Sequence, residues 1–171
     1  MVQGFNIDAF KSNYTDLSRQ YLFMCMINWP GGVSGLTTDQ TKYLCQSTSL
    51  PEATVDNVDI NWQGMIFPLA TTHTFSDWEV TFRVDANANL RRAFIQWQRL
   101  IHNPETNEHG SPTDYVADQE VWLLNTAGNP TLKLKLVDAW PSAVGSMDLD
   151  YGNKEVSTMA VTWKYLYHKE I

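Results

Sequence analysis

The sequence is short of the features that announce chemistry. Cysteine occurs only twice in 171 residues, at Cys25 and Cys45. Two cysteines are too few for a disulfide framework, which points to folding in a reducing cytoplasm. Both lie in strand-like text, where a free thiol behaves as a small buried hydrophobe, and a bridge between them stays open. Long apolar runs are also missing. The longest, "YLFMCMI", has seven residues, far below the ~20 that a membrane-spanning helix needs. The start, "MVQGFNIDAFKSNY", has no basic stretch followed by an apolar core, so neither an export signal nor a membrane anchor is expected. Positive charge is scarce: 12 Lys and Arg stand against 19 Asp and Glu, for a net −7. Such a chain repels phosphate and lacks the basic footprint of a nucleic-acid binder.

Catalytic signatures are absent in the same way. There is no G-x-S-x-G elbow, no phosphate-cradling glycine loop and no dinucleotide fingerprint. His102 and His109 flank Glu105 and Glu108, but zinc sites pair ligands two to four residues apart and add a second pair elsewhere. His73 and His168 offer no such partner spacing, so the segment reads as a solvated polar loop. "DLDYGNKE", Asp148 to Glu155, opens like a calcium loop, yet the twelfth position holds Met159 instead of a bidentate glutamate. A tight turn at Gly152-Asn153 explains it better. Arg91 and Arg92 read as a solvated or salt-bridged helix face. The expectation is a non-enzyme with no catalytic residue, no metal and no cofactor.

What the chain has is aromatic residues and pattern. Aromatics make up 12% and charged residues only 18%, a globular balance that favours sheets. In "THTFSDWEVTFRVDANANLRRAFIQWQRL", Trp78, Val80, Phe82 and Val84 alternate with polar neighbours, which predicts a half-buried strand. Leu90, Ala93, Phe94, Trp97 and Leu100 or Ile101 then recur at helical spacing, which predicts one amphipathic helix, with Asn87 or Asn89 as its cap. Arg99 suits the negative end of that helix.

Further strands are expected over Gln20–Trp29, apolar on both faces and therefore central in a core or facing a partner, and over Thr41–Ser49. Thr131–Ala139 alternates Leu132, Leu134 and Leu136 inward with Lys133 and Lys135 outward. Tyr115–Thr126 and Glu155–His168 complete the set, the last with Met159, Val161, Trp163 and Tyr165 on one face. Glu52–Ala70 reads as two ragged strands around Gln63-Gly64. Its bulky Trp62, Met65, Ile66 and Phe67 lack polar text opposite, and Pro68 marks an edge or arm. An arm of this kind packs on something outside its own core, so these four residues are the candidate oligomer interface.

His102–Asp114 is expected as a loop, and Trp140–Asp150 as the connection before the last strand. The total is seven or eight strands and one real helix. The fold class is mainly β: an antiparallel β-sandwich or partly open barrel with one α-helix packed at its edge. Residues 1–171 form a single domain, of which 1–19 (with Phe5, Phe10 and Tyr14) are an N-terminal arm carrying at most a short helical turn. Seven tryptophans also allow a sugar-binding β-sandwich, but Trp78, Trp97 and Trp163 fall on apolar stripes and read as core. Trp62 and Trp122 are less easily placed.

Four pieces in order carry a resemblance: "YLFMCMINW", "YLCQSTSLP", "TFSDWEVTFRVDANANLRRAFIQWQ" and "DAWPSAVGSMDLDYGNKEVSTMAVTWKY". Together they resemble the tail tube proteins of contractile-tailed bacteriophages. The third piece is the most telling, and "WPSAVG", with Trp140, Pro141 and Gly145, is the second marker. The resemblance implies a virion structural protein assembled in the host cytoplasm. It implies that six subunits join their sheets into a ring, and that rings stack into a tube through which DNA passes without sequence-specific binding. It also implies sheath, baseplate and tail terminator proteins as partners. Where the family often has a basic, glycine-containing hairpin ending in an Asp-Arg pair, this chain has "NWQGMIFPLATTH". That departure leaves open a tube subunit of a contractile secretion or injection system, or a baseplate tube initiator.

Overall fold

The computed structural model describes residues 7–14 and 17–171; Phe5 of the expected arm lies outside them. In chain order the elements are helix α1 (Ile7–Asn13), strand β1 (Phe23–Met26), helix α2 (Thr38–Leu44), β2 (Cys45–Thr48), β3 (Ala53–Trp62), β4 (Met65–Phe75) and β5 (Trp78–Arg83). There follow α3 (Asn89–Ile101), β6 (His102–Asn103), β7 (Glu108–His109), α4 (Pro112–Tyr115), β8 (Ala117–Leu124), β9 (Pro130–Val144), β10 (Thr158–Lys164) and β11 (Tyr167–Glu170). The expected seven or eight strands and one helix thus become eleven strands and four helices among the described residues.

All pairings are antiparallel, and the main path runs β1-β8-β9-β10-β5-β2 with β11 also on β9. The 15-residue β9 belongs to two layers. Its first half lies between β8 and β11, and its second half pairs with β10. The crossing point is Asp138, whose φ of 53° bends the strand. The backbone N–H of Asp138 donates to Asp118 Oδ1 at 3.1 Å, while Lys135 Nζ holds Asp118 Oδ2 at 2.7 Å. The result is an open sandwich. β1 and β2, the two ends of the path, share no ladder.

The core lies between the layers and under α3. Trp78, Val80 and Phe82 point inward from β5, and Met159, Val161 and Trp163 from β10, as their alternation predicts. Leu90, Phe94 and Trp97 of α3 are fully buried against them. Trp97 meets Trp163 edge-on at 5.3 Å, and Trp29 lies 5.0 Å from Phe94. Trp97 Nε1 donates to the Tyr115 carbonyl at 2.6 Å, so its polar edge is not stranded. Burying a side chain of this size stabilises the fold by roughly 1.5–3 kcal/mol each. Edge-to-face rings add about 0.5–1.5 kcal/mol per pair.

Several local expectations change. Thr41–Ser49 is not one strand: its first half is the end of α2. Thr37 caps that helix, accepting from the Gln40 N–H while the Gln40 side chain accepts from the Thr37 N–H. This reciprocal box outcompetes extended structure. Gln20–Trp29 shortens to β1 and sits at a sheet edge, not in the middle, although Cys25 and Ile27 are buried.

Helix α3 is capped by neither Asn87 nor Asn89. The chain turns through a left-handed Ala88 (φ 54°), and Asp85 reaches forward to accept from the N–H groups of Asn89 and Leu90 at 3.1 and 3.0 Å. Burial pushes the Asp85 carboxyl up, but the amides of Leu90, Asn89, Asp85 and Asn87 outweigh it and hold the group below the usual carboxylate range. Trp140–Val144 is strand, not connection, and Pro141 is buried beside a bulge opposite Trp163. The expected 102–114 loop contains the short β6–β7 hairpin and α4.

Gly145 is required by contact. A Cβ there would sit 2.8 Å from the Ala160 carbonyl oxygen, which already accepts from the Gly145 N–H at 2.7 Å. Arg91 Nη1 donates to the Gly145 carbonyl at 2.9 Å. Arg91 is therefore a structural tie and not part of a solvated face.

Candidate functional site

The β3–β4 hairpin forms a sheet of its own and projects from the body. Gln63 (φ 46°) and Gly64 (φ 85°) make a two-residue turn with both residues left-handed. That geometry matches the right-handed twist of the strands it joins. The register pairs Trp62 with Met65, Ile60 with Phe67, and Val58 with Leu69. Directly opposed residues share a face, so these six side chains form one unbroken apolar face. The other face carries Asn57, Asp59 and Asn61 opposite Ala70, Pro68 and Ile66.

Every hairpin residue except Phe75 is exposed. Trp62 is 69% exposed, Met65 76% and Phe67 60%, values otherwise expected of lysines, not of a tryptophan. Three of the four residues singled out in the sequence are therefore together, while Ile66 lies on the reverse face. Val58, Ile60 and Leu69 complete the patch. Val58 and Ile60 are signalled by the alternation "VDINW" (Val58 to Trp62), a period of two, and Leu69 by its pairing with Val58.

The hairpin meets the body at an aromatic base. His73 packs on Phe75 at 4.6 Å, and Phe75 touches His168 at 5.2 Å and Tyr165 at 6.0 Å. Burial, with the nearby His73 adding to it, holds His168 below the ordinary histidine range, and its Nδ1 is buried without a partner. A charged His168 is thus disfavoured at this joint.

Elsewhere the candidates behave as structure. Trp78, Trp97 and Trp163 have no exposed surface to stack a sugar. Trp122 lies beneath Lys133 Nζ at 4.2 Å. His102 and His109 are a cross-strand pair with rings 4.3 Å apart. Arg99 reaches Glu105 at 3.0 Å. Among the described residues no group of three or more His, Cys, Asp or Glu is arranged to hold a metal, and no helix is long and apolar enough to cross a membrane. Both cysteines are free thiols, Cys25 buried and Cys45 half-buried.

The fold has counterparts among solved structures. Over 92% of its length the chain superposes on 97% of a chain in the six-fold symmetrised anti-feeding prophage baseplate, with a TM-score of 0.68 and 16% identity. Over 93% it superposes on 99% of a chain in the sheath/tube terminator of an extracellular contractile injection system, at a TM-score of 0.66 and 13% identity. Tail tube protein gp19 of Enterobacteria phage T4 is 28% identical over 158 residues, 90% of this chain and 91% of that protein. The tail tube protein of Serratia phage KSP90 is 26% identical over 138 residues, 78% of this chain and 77% of that protein. The family model for phage tail tube proteins matches residues 14–171. With an apolar face held out on a hairpin, an open sandwich and a match across nearly its whole length, the chain belongs to the phage tail tube protein family.

Proposed function

We propose that six copies of this chain close into a ring, that rings stack head to tail, and that DNA passes through the bore. The coarser role is plain: the chain is a structural subunit of a phage tail tube. The observation that carries the finer reading is the exposed apolar face of the β3–β4 hairpin. A lone soluble subunit gains nothing from holding out Trp62, Met65 and Phe67 in water, and a patch of this kind marks a protein-binding surface. Val58, Ile60 and Leu69 extend that interface, and Ile66 meets a second surface across the hairpin.

The open edges of β1, β2 and β11 support the same reading. Unpaired edges are hazards in a monomer and joints in a closed ring. Stacking along the axis has no closure, so it gives a filament whose length other proteins must set. Sheath, baseplate and terminator proteins are the partners this requires. Residues 1–171 act as one domain, with the N-terminal arm as part of it. The chain works by fit and not by catalysis, and needs no cofactor. It folds in the host cytoplasm and ends in the virion.

Charge supports passage over binding. Six copies of −7 give −42 per ring. Each cation lining the bore would add counterion-release affinity and make DNA stick, so an acidic balance favours movement.

Electron microscopy of the purified chain tests the reading. Rings or tubes of uniform bore are expected, with acidic side chains facing the lumen. A chain that stays monomeric at high concentration, or a lumen lined by Lys and Arg, overturns it. The likeness of the fold to injection-system components favours a second reading, a tube that carries proteins, or a baseplate initiator of one. Capsid and portal genes beside this one would decide for the phage.

A further inference from the structure

The two ends of the strand path, β1 and β2, face each other across the open seam without a shared ladder. Between them runs a groove of about 890 Å³, lined by Phe23, Cys25, Cys45, Ser47, Val121 and Leu123 among others. Cys25 lies at its floor, 1% exposed and paired to Val121 of β8. Cys45 is half-buried at the start of β2, paired to Phe82 of β5. Both thiols line this one groove, from the two edges that bound it, and each acts on the other's acidity. A pair of free thiols therefore faces across the missing ladder.

A buried cysteine is often only a small hydrophobe. That accounts for Cys25 but not for a second thiol set against it from the opposite edge. We infer that Cys25 and Cys45 are a redox pair, and that oxidation by a small-molecule disulfide joins them into a staple across the seam.

The two positions suit different parts in that exchange. The neighbouring Cys25 lowers the Cys45 thiol, against burial, and the Arg83 cation helps. Cys45, together with burial, holds Cys25 up. Cys45, the more accessible and more acidic thiol, attacks. Its thiolate bonds to one sulfur of the small disulfide, whose S–S bond breaks and releases one thiol. Cys25 then gives its proton to solvent and bonds to Cys45 Sγ, displacing the second thiol. Two protein thiols lose two electrons in all, and one small disulfide gains them. The pair stays open in a reducing compartment and closes in an oxidising one. This inference needs no particular oligomeric state, so its failure would leave the tail tube reading untouched.

The test is to incubate the folded full-length chain with oxidised glutathione at mildly alkaline pH. Free thiols are then blocked, and an unreduced digest is analysed by mass spectrometry. The same chain unfolded in urea confirms that the oxidant is active. The expected result is one peptide pair linked through Cys25 and Cys45, loss of both maleimide-reactive thiols, and a melting temperature raised by roughly 5–10 °C that reductant reverses. Cys25→Ser is expected to stop at a glutathione adduct on Cys45, and Cys45→Ser to take up none. Two thiols still free in the oxidised chain, links only between chains, an adduct on Cys25 in Cys45→Ser, or a linked chain that melts no higher would each overturn the proposal.

Discussion

Two regions of this molecule use the same side chains to opposite ends. Under α3, Trp78, Phe82, Phe94, Trp97 and Trp163 have no exposed surface. On the β3–β4 hairpin, Trp62, Met65, Ile66 and Phe67 are each at least 60% exposed. Composition does not separate them. Placement does: one set closes over itself within the chain, and the other has nothing in the chain to close over. Apolar surface that the fold leaves uncovered is the surface we propose to meet another copy.

The contrast can be broken by substitution, with unfolding followed on dilute protein. Trp97→Ala removes a large aromatic and its 2.6 Å bond to the Tyr115 carbonyl, and is expected to cost about 3–5 kcal/mol. An unchanged melting curve would mean that the stripe does not hold the core. Gly145→Ala forces a Cβ against the Ala160 carbonyl oxygen and is expected to cost about 1–3 kcal/mol, read as a lower denaturant midpoint at constant slope. Asp85→Ala removes the carboxylate that caps α3 and is expected to cost about 1 kcal/mol. Because the Asp85 pKa is lowered on folding, its contribution is present above the unfolded value and lost as pH falls through the folded one. The deficit of Asp85→Ala is therefore expected to be full near neutral pH and to vanish in acid, and a deficit of the same size at both would contradict this.

His168 sharpens the comparison at the joint between the regions. Its folded pKa lies below the ordinary histidine value, so below about pH 6.5 the unfolded chain takes up a proton that the folded chain resists. Stability is therefore expected to fall as pH drops from above that value through the folded pKa. His168→Gln is expected to flatten the fall, and a slope unaltered by the substitution would clear the joint of the role. The smallest expected effect on stability is at the hairpin. Trp62→Asp with Phe67→Asp is expected to change unfolding by no more than about 0.5 kcal/mol, yet to abolish tubes in electron micrographs. Tubes that persist would show that the apolar face is not the joint.

How far these regions were legible in the sequence follows from what each pattern encodes. β5 and α3 could be read because one amphipathic period dominates each, and burial follows the period. The hairpin could be read as an arm because bulky residues lacked polar partners and Gln63-Gly64 supplied a turn. Its full apolar face needed the register, which places Val58 and Leu69 beside residues far from them in the chain. α2 announced itself only through the Thr37/Gln40 box, a signal that strand-like "YLCQ" masks. Periodicity reports burial but not neighbours, so the edge position of β1 was invisible. The cap of α3 comes from Asp85, beyond the nearest asparagines, because Ala88 turns the chain back on itself. β9 continues through Pro141 because a bulge relieves the missing donor there, and no local rule foretells a bulge.

Consider finally what it means that a single strand runs through both layers. β9 extends over 15 residues, which at about 3.3 Å per residue is about 50 Å of extended chain. A sandwich of two separate sheets resists sliding only through side-chain contact, and yields by shear. Here the layers share a covalent spine, clamped at its bend by Asp118 and Lys135. Pulling on one layer loads the other directly through peptide bonds. A tube subunit built this way carries load from one layer to the other without relying on friction between side chains.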